Sequence, residues 1–451
     1  AKEHEIIIPH IGLMGDLTKT ADVDSLFKWL ELLHNTDIIV ISLDTIAYGG
    51  LIPSRRSNDD FKTIKKRIDN LVNVIKKLNA KVYAFSSIMR ISNNNINEEE
   101  KEYWNEYGTK MFEYSYNLHK AEIEGGTAPE QNIPADILTD YLNTRNRNFE
   151  INKYYIELYK QGIFDTLVFS KDDCSQYGLN VKEANELKKL SSDCAGIYIK
   201  TGADEIPLSL LSRAVNINKK LKIAPVYTNP NGINKISRYE DITVEESVKS
   251  QIELAGGIVS SENDCDLVLL VNNFPNEQGE LVMNINVPLF DKELKLPDKP
   301  YFIADIVNAN GSDNNFVKEL LKFDYLKEFY GYTACNTTGN TFGSAISTAL
   351  TYFGAKKPDK NVFREIQTVR LLDDWAYQAN VRAKIRDGSA NLTNDTVKKE
   401  MEPFEKIICE KLELKHLHII YDFPWNRFFE IKISMHKQYF NIPFIDMLFY
   451  E

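Results

Sequence analysis

The sequence has no long hydrophobic run and no excess of positive charge. Its most apolar stretches, 38–43 and 267–271, are far shorter than the ~20 residues that a membrane-spanning helix needs. Lys and Arg number 54 against 65 Asp and Glu, so the net charge is −11. Nucleic-acid binders and proteins held on anionic membranes need cationic surfaces. We therefore expect neither nucleic acid nor a membrane as a partner.

Cysteine is scarce, and the five residues are scattered along the 451-residue chain without a C-x-x-C pair. An odd and dispersed set favours neither a disulfide framework nor a zinc site, and it is typical of a reducing compartment. The first residues also lack the apolar segment of a secretory signal peptide. The sequence therefore predicts a cytoplasmic protein.

The common catalytic signatures are missing as well. The chain has no G-x-G-x-x-G, no G-x-S-x-G and no H-E-x-x-H, which are typical of dinucleotide binding, serine hydrolases and zinc proteases. His416 and His418 form the one close histidine pair, and no third ligand is evident beside them. A structural zinc site needs four ligands, so we predict no metal there.

Eight short apolar, β-branched segments alternate with helical stretches along the chain. The predicted strands are 38–43, 81–88, 165–170, 195–200, 222–228, 266–271, 300–306 and 330–334. Continuous apolar strands of this length are typical of parallel sheets that are covered on both faces. The pattern predicts a TIM-barrel-like (β/α)₈ fold or a related, largely parallel α/β architecture.

The intervals between the predicted strands are uneven, which indicates added segments. Residues 91–163 are too many for a plain crossover and predict a helical insert, although the run 93–102 (NNNINEEEKE) is expected to be a solvated loop and helix start. A linker-like AKKPDK follows Gly354. We therefore predict a barrel-like catalytic domain over 1–354 and a mainly helical C-terminal domain over 355–451 that packs on it.

Polar and charged residues follow six of the predicted strands. In barrels and in open parallel sheets, ligand sites form at the carboxyl ends of the strands, so we expect these side chains to line one cleft. Single residues of this kind also serve as turn and helix-capping residues. Six such strand ends together favour a site, whose predicted substrate-binding residues are Asp44, Tyr48, Arg55, Arg90, Tyr177, Asp204, Asp305, Asn308, Asn310, Asp313, Asn336 and Asn340.

An adjacent pair of carboxylates, Asp172 and Asp173, carries the most chemical information. Two carboxylates at one strand end repel each other, which raises one pKa and favours a general acid. Neighbouring residues of a strand point to opposite faces, so both reach a cleft only if the strand has already ended. Asp204 and Glu205 form a second acidic pair. The predicted catalytic residues are Asp172, Asp173 and Glu205.

These segments together resemble a bacterial family catalogued as a domain of unknown function, DUF4127. The matching stretches run in order through most of the chain: SLDTIAYGGLIPSRR (42–56), RNRNFEIN (145–152), KDDCSQYG (171–178), GADEI (202–206), ADIVNANGSDN (304–314), NTTGNTFG (336–343), RLLDDWAYQANVR (370–382) and PWNRFFEI (424–431). Members usually open with a strand ending in a Leu-Asp-Glu-Arg-Pro-like turn before the equivalent of residues 6–9. That segment is not in this sequence, and counting it gives nine strands, so one lies outside a barrel or the fold is two α/β units. The family name implies no activity.

The first functional hypothesis is a glycoside hydrolase, and specifically an exo-acting β-N-acetylhexosaminidase. The Asp172-Asp173 pair resembles the acidic pair of substrate-assisted N-acetylhexosaminidases. This resemblance implies that Asp172 orients the 2-acetamido group and that Asp173 is the acid/base, with Glu205 as a substitute acid. Tyr48 and Tyr177 would contact the sugar. This hypothesis requires a small-molecule or oligosaccharide substrate and no cofactor or metal, and it is compatible with a homo-oligomer.

Two alternatives belong to other classes. One is a Mg²⁺- or Mn²⁺-dependent hydrolase or transferase in which Asp44, Asp172, Asp204 and Asp305 hold the metal, while Arg55 and Arg90 bind an anionic small molecule. The other is a non-catalytic protein of two α/β units that closes on a polar ligand. Metal analysis tests the first, and ligand-induced stabilisation without turnover is expected of the second.

Overall fold

The computed structural model describes residues 4–127, 130, 132–323, 331–388, 393–414, 417–424 and 427–437. The contacts within the chain group it into two units. The first unit consists mainly of Ile6–Leu210 together with Tyr239–Asp241, and the second consists mainly of Leu211–Arg238 and Ile242–Phe449.

The first unit is built on a sheet of four parallel strands. In spatial order these are β1 (Ile38–Ser42), β2 (Lys81–Ile88), β3 (Thr166–Lys171) and β4 (Ile197–Thr201). All six residues of β3 are buried, as expected of a strand that helices cover on both faces. Since the strands are parallel and in register, their carboxyl ends lie along one edge of the sheet.

Helices precede, connect and follow these strands: α1 (Val23–Glu31), α2 (Leu43–Tyr48), α3 (Leu51–Arg56), α4 (Phe61–Leu78), α5 (Trp104–Glu124), α6 (Ala135–Lys160), α7 (Leu179–Leu190) and α8 (Ile206–Val215). Helix α4 shows why they form. Asp60 caps its first turn by accepting from the Thr63 amide, and apolar residues from Ile64 to Ile75 recur at helical spacing on the buried face. Helices α5 and α6 occupy most of the predicted insert and enclose an apolar cluster that contains Trp104 and Tyr141.

The second unit contains a separate parallel sheet of five strands. Its strands are β5 (Lys222–Tyr227), β6 (Ile258–Val259), β7 (Leu267–Asn272), β9 (Tyr301–Asp305) and β11 (Tyr332–Thr333), in the spatial order β11-β9-β7-β5-β6. A short parallel pair, β8 (Gly279–Glu280) and β10 (Asn308–Ala309), and an antiparallel hairpin, β12 (Leu417–Asp422) and β13 (Lys432–Lys437), complete its strands among the described residues.

Helices of the second unit are α9 (Val244–Leu254), α10 (Asn314–Leu320), α11 (Thr338–Gly354), α12 (Lys360–Arg370), a π-helix (Leu371–Val381), α13 (Arg382–Arg386) and α14 (Asn394–Lys411). Trp375 and Tyr377 of the π-helix share one hydrophobic cluster with Val268 of β7 and Ile303 of β9. The region after residue 354 therefore packs on the sheet of the second unit. The predicted boundary at residue 354 would separate two domains that fold independently, and it stays a prediction.

The parallel α/β architecture predicted from the sequence is confirmed, and each of the eight predicted strands has a counterpart within a few residues. A closed eight-stranded barrel is not found in the described parts of the chain, because β4 and β5 do not pair and the strands form two open sheets. Residue 330 of one predicted strand lies outside the described residues. Within those residues, no helix has the length and apolarity that crossing a bilayer requires.

Candidate functional site

The end of β3 brings the two adjacent carboxylates onto the same side. The strand stops at Lys171, and Asp173 takes a left-handed backbone conformation with φ of +46°, which Asp adopts more readily than most residues. The alternation of side chains therefore ends before the pair. Nη1 of Arg90 lies 3.1 Å from Oδ2 of Asp172 and 3.3 Å from Oδ2 of Asp173. Both carboxylates thus face one guanidinium group.

Two glutamates complete this group of charges. Arg90 Nη2 lies 2.9 Å from Glu99 Oε2, and Arg90 Nε lies 3.0 Å from Glu100 Oε1. Arg55 Nη1 is also 3.0 Å from Glu100 Oε1, and its Nη2 is 3.9 Å from Asp172 Oδ2. We name this set, formed by Arg55, Arg90, Glu99, Glu100, Asp172 and Asp173, the arginine–carboxylate cluster. It places two guanidinium groups among four carboxylates.

Burial divides the cluster into an inner and an outer part. The side chains of Arg55 and Glu100 are 2% and 4% exposed, whereas Asp172 and Asp173 are 17% and 27% exposed. The inner pair is thus inaccessible to a ligand. Asp173 is the most accessible carboxylate of the cluster.

Burial and charge repulsion give Asp173 an unusual proton affinity. Burial, together with the negative charge of Asp172, raises the pKa of Asp173 to about 6, although Arg90 and Arg55 oppose the shift. The four carboxylates raise the pKa of Arg90 well above its usual value despite its burial. Arg90 is therefore always cationic, and Asp173 can hold or release a proton near neutral pH.

A third arginine, Arg56, holds the loop that carries the two glutamates. Arg56 Nε donates to the carbonyl of Glu100 over 2.9 Å, and its Nη2 donates to the carbonyls of Asn97 (3.0 Å) and Glu98. Adjacent arginines on α3 therefore bind the side chains and the backbone of the same loop. The sequence indicated only a solvated loop here, because a polar run without periodicity contains no signal of its partners.

Asp44 and Tyr48 lie on α2, which follows β1 directly. Asp44 is buried and accepts hydrogen bonds from the Ser87 amide (2.8 Å) and the Ser86 hydroxyl (3.0 Å), and burial raises its pKa. Tyr48 is buried as well, with the guanidinium of Arg147 over its ring at 5.3 Å. These contacts connect α2 to β2 and α6, outside the arginine–carboxylate cluster.

Tyr177 and the residues after β4 also lie in the first unit. The Tyr177 hydroxyl donates to Glu124 over 2.8 Å, and the ring packs edge-on against Tyr116 of α5. Asp204 is exposed and Glu205 is buried. Gly202 has φ of +99°, and a Cβ there would lie 1.9 Å from Oε1 of Glu205. The Glu205 carboxyl is therefore folded over the glycine.

Gly202→Ala is expected to displace Glu205 and to lower the free energy of unfolding by more than backbone strain alone would. A left-handed alanine costs about 1–2 kcal/mol, and the clash with the Glu205 carboxyl adds to this. The matched control is Gly162→Ala, because Gly162 has φ of +77° and its Cβ would meet nothing within 4 Å. Urea denaturation of both variants provides the comparison. Equal losses of stability would show that Glu205 moves aside without cost.

The second unit holds a different network around Asp305. Its carboxylate accepts from Asn272 Nδ2 (2.9 Å), the Asp313 amide (2.8 Å) and the Tyr332 hydroxyl (2.8 Å). Asp313 in turn caps α10 by accepting from the Asn315 amide. Burial and the nearby Asp313 carboxylate raise the pKa of Asp305 to about 7. We name Asn272, Asp305, Asp313 and Tyr332 the Asp305 network.

The predicted asparagines of the second unit occupy turns and element ends. Asn310 and Asn336 have φ of +64° and +51°, a conformation that Asn tolerates, and the Asn310 amide donates to the Asn336 carbonyl over 2.8 Å. The Asn310 side chain donates to the buried Glu280 over 2.6 Å. Asn308 and Asn340 are buried in β10 and in the first turn of α11. These positions and contacts are those expected of asparagines that serve in turns and at the ends of helices and strands.

The RLLDDWAYQANVR motif begins at the last residue of α12 and extends through the π-helix to the first residue of α13. Long π-helices are rare and often lie at functional sites. Its Asp374 is buried, accepts from the Ala334 amide over 2.7 Å and lies 3.2 Å from Arg370 Nη1. Burial raises the pKa of Asp374 to about 7, although Arg370 opposes the shift. The motif was recognised from the sequence only through its family resemblance, and Asp374 was not predicted as a buried acid.

The structure thus distributes the predicted site residues over two units. Arg55, Arg90, Asp172 and Asp173 come together in the arginine–carboxylate cluster, and Asp305 and Asp313 come together in the Asp305 network. The other predicted residues have the separate positions given above. Among the residues that the structure describes, no group of three or more His, Cys, Asp or Glu side chains is arranged to hold a metal. His416 lies outside that part.

Comparison with known protein families gives a match over nearly the whole chain. No curated protein is similar to this chain at a significant level. One family model matches residues 1–434, which is nearly the whole chain. The match includes the arginine–carboxylate cluster, the Asp305 network and the π-helix. The chain therefore belongs to the family described as "Protein of unknown function (DUF4127)".

Proposed function

We propose that the chain is a hydrolase whose catalytic centre is the arginine–carboxylate cluster. The observation that supports this most directly is the shared contact of Asp172 and Asp173 with Arg90, combined with the raised pKa of Asp173, about 6. A general acid works best when its pKa lies near the working pH. A neighbouring carboxylate that stays beside a cation can stabilise developing positive charge.

An uncharged sugar is the substrate class that the charges of the cluster favour. Both guanidinium groups already contact carboxylates, and the carboxylates outnumber them, so no free cation remains for an anionic substrate. We therefore propose a glycoside hydrolase over an enzyme that acts on an anionic molecule. The proposal requires no closed barrel, since sites also form at the carboxyl ends of open parallel sheets.

The proposed chemistry is that of an exo-acting β-N-acetylhexosaminidase. Asp173 donates its proton to the glycosidic oxygen as the bond to the anomeric carbon breaks, and the oxygen of the substrate's 2-acetamido group forms a bond to that carbon. Asp172, held beside Arg90, orients the acetamido group. Asp173 then accepts a proton from the water that opens the cyclic intermediate, so the acid is regenerated. Glu205, expected from the sequence as a substitute acid, is buried outside the cluster and takes no part in this step.

The metal-dependent alternative has less support from the residues. Arg90 contacts all four carboxylates of the cluster, so its guanidinium occupies the position where a cation would neutralise them. Asp44 accepts hydrogen bonds from Ser86 and Ser87, and Asp305 belongs to the second unit.

We also propose that the protein is cytoplasmic. Its five cysteines, all within described segments, are free thiols, which supports a reducing compartment.

Hydrolysis of aryl glycosides tests the proposal. We expect release from the N-acetyl-β-glucosaminide, with a rate that falls as pH rises through about 6 because Asp173 loses its proton. Asp173→Asn should lower kcat by about 10²–10⁴ while sugar binding remains. The matched control is Asp193→Asn, since that side chain is 69% exposed in the same unit. A panel of aryl glycosides that gives no release at any pH from about 4 to about 8 would reject the glycosidase.

A further inference from the structure

A cavity of about 510 Å³ lies in the first unit beside the start of α1, between it and the α2–α3 turn. Its volume is within the range of about 300–1,000 Å³ that is typical of small-molecule sites. None of the six residues of the arginine–carboxylate cluster lines it. The cavity is therefore separate from the proposed catalytic centre.

The YGG turn shapes one side of this cavity. Gly49 has φ of +86°, and a Cβ there would lie 2.8 Å from the Cβ of Thr20. The Gly49 carbonyl accepts from the Ala21 amide over 2.9 Å. Only a glycine allows this close approach in this conformation. The turn thus brings Thr20 and the start of α1 against the end of α2, where Tyr48 lies.

Charged groups of both signs line the cavity. Arg67 uses Nη1 to donate to the Ala47 carbonyl (2.9 Å) and to Asp59 (2.7 Å), and no described residue accepts from its Nε or Nη2. Arg56 donates to backbone carbonyls, so no carboxylate in contact neutralises its charge. Asp22 and Asp24, both exposed, stand at the start of α1. The walls thus present donors for an anionic group and acceptors for a cationic group.

A tyrosine side chain also lines this cavity. Tyr48 lines the cavity and is only 4% exposed, and its hydroxyl has no hydrogen-bond partner among the described residues. The guanidinium of Arg147, 5.3 Å from the ring centre, holds the ring in place. Burial and the nearby Asp44 raise the Tyr48 pKa, so the hydroxyl remains a donor.

We propose that this cavity binds a small zwitterion of the α-amino-acid class. Its carboxylate would accept from Arg67, Arg56 and the Tyr48 hydroxyl, and its ammonium group would donate to Asp22 and Asp24. An anion without an amine would not pair with the carboxylates, and a cation without a carboxylate would not pair with the guanidinium groups. A polyol would form no ion pair with either. The apolar walls formed by Val23, Ile52 and Pro53 suit an aliphatic side chain.

Binding to the full-length protein tests the site directly. We expect L-leucine to raise Tm and to bind in calorimetry, whereas isopentylamine, which lacks the carboxylate, and 4-methylpentanoate, which lacks the amine, have little effect. Tyr48→Phe should weaken the Kd for leucine about tenfold, as expected for one hydrogen bond to a charged group. The matched control is Tyr155→Phe. Tyr155 is buried in the same hydrophobic cluster and its hydroxyl also lacks a partner, but it does not line the cavity.

A second pair of variants tests the ammonium side without disturbing the core. Asp24→Asn should weaken leucine binding at least fivefold, while Asp136→Asn, at the same kind of exposed first-turn position on α6, should not. The proposal is wrong if no common L-α-amino acid shifts Tm. It is also wrong if 4-methylpentanoate binds as well as leucine, or if Tyr48→Phe and Tyr155→Phe change the Kd equally. Loss of glycosidase activity has no bearing on these outcomes, because the two sites share no residue.

Discussion

Replacement of Arg90 by alanine is expected to lower the free energy of unfolding by about 3 kcal/mol, because it removes the cation shared by four carboxylates. All four carboxylates lie within 3.3 Å of a nitrogen of this guanidinium. Nη2 contacts Glu99, Nε contacts Glu100, and Nη1 contacts both Asp172 and Asp173. Without it, the pKa of Asp173 should rise further above about 6. Urea denaturation gives the first quantity, and a carboxyl NMR titration gives the second.

The pH dependence of the Arg90→Ala effect distinguishes it from a simple packing loss. Protonation of Asp173, whose pKa is about 6, removes one of the negative charges that Arg90 neutralises, so the loss of stability should be smaller below about pH 6 and grow as pH rises. Arg90→Lys should be intermediate, because an ammonium group keeps the charge but cannot bridge four carboxylates. The control is Lys65→Ala, which breaks the exposed pair with Asp69 and should cost about 1 kcal/mol or less. An Arg90→Ala loss no larger than that would mean that Arg90 does not hold the cluster together.

Asp305→Ala is expected to lower the free energy of unfolding by about 3–5 kcal/mol. The substitution removes the acceptor for the Tyr332 hydroxyl, the Asn272 side chain and the Asp313 amide, and each buried donor left without a partner costs about 1–3 kcal/mol. Thermal and urea denaturation measure the change. The control is Asp387→Ala, since that side chain is 63% exposed in the same unit and should contribute little.

Asp305 also gives stability a definite pH dependence. Its pKa is about 7 in the folded protein against about 3.9 in an unfolded chain, so the folded state binds the proton more tightly. This contribution is fully present below about pH 4 and is lost as pH rises through about 7. Asp305→Asn cannot titrate and should lack that slope. The free energy of unfolding is measured against pH for the wild-type protein and for Asp305→Asn, and the difference between the two curves gives the contribution of Asp305. Parallel curves would show that Asp305 is ionised throughout this range.

The strands and part of the candidate site could be predicted from the sequence. Strands such as β3 and β7 are apolar along their whole length because both faces are covered, and such runs are visible without any knowledge of the fold. Asp172, Asp173 and Arg90 were found because they follow strand ends, and parallel strands gather those ends at one edge. The prediction that both aspartates could act together depended on the strand stopping before them, and the left-handed Asp173 meets that condition.

The contacts of other residues could not be predicted from the sequence. Glu99 and Glu100 lie in a polar run whose contacts depend on Arg55, Arg56 and Arg90. Asn310 and Asn336 look like ligand-binding residues in a polar segment, yet they are left-handed turn residues. In each case the role depends on a partner from a distant segment, which local pattern cannot identify.

The sequence by itself determined the acidic charge, the parallel α/β class, the family and the acidic pair at the end of β3. Only the tertiary structure decided that the main strands form two separate open sheets, one of β1–β4 and one of β5, β6, β7, β9 and β11, and that four carboxylates share one guanidinium. The reason is physical: local periodicity records which face of each segment is buried, but strand pairing and ion pairs join distant residues. Arg90 and Asp172 are 82 residues apart, and Arg55 and Glu100 are 45 apart, so their contact exists only once the chain has folded.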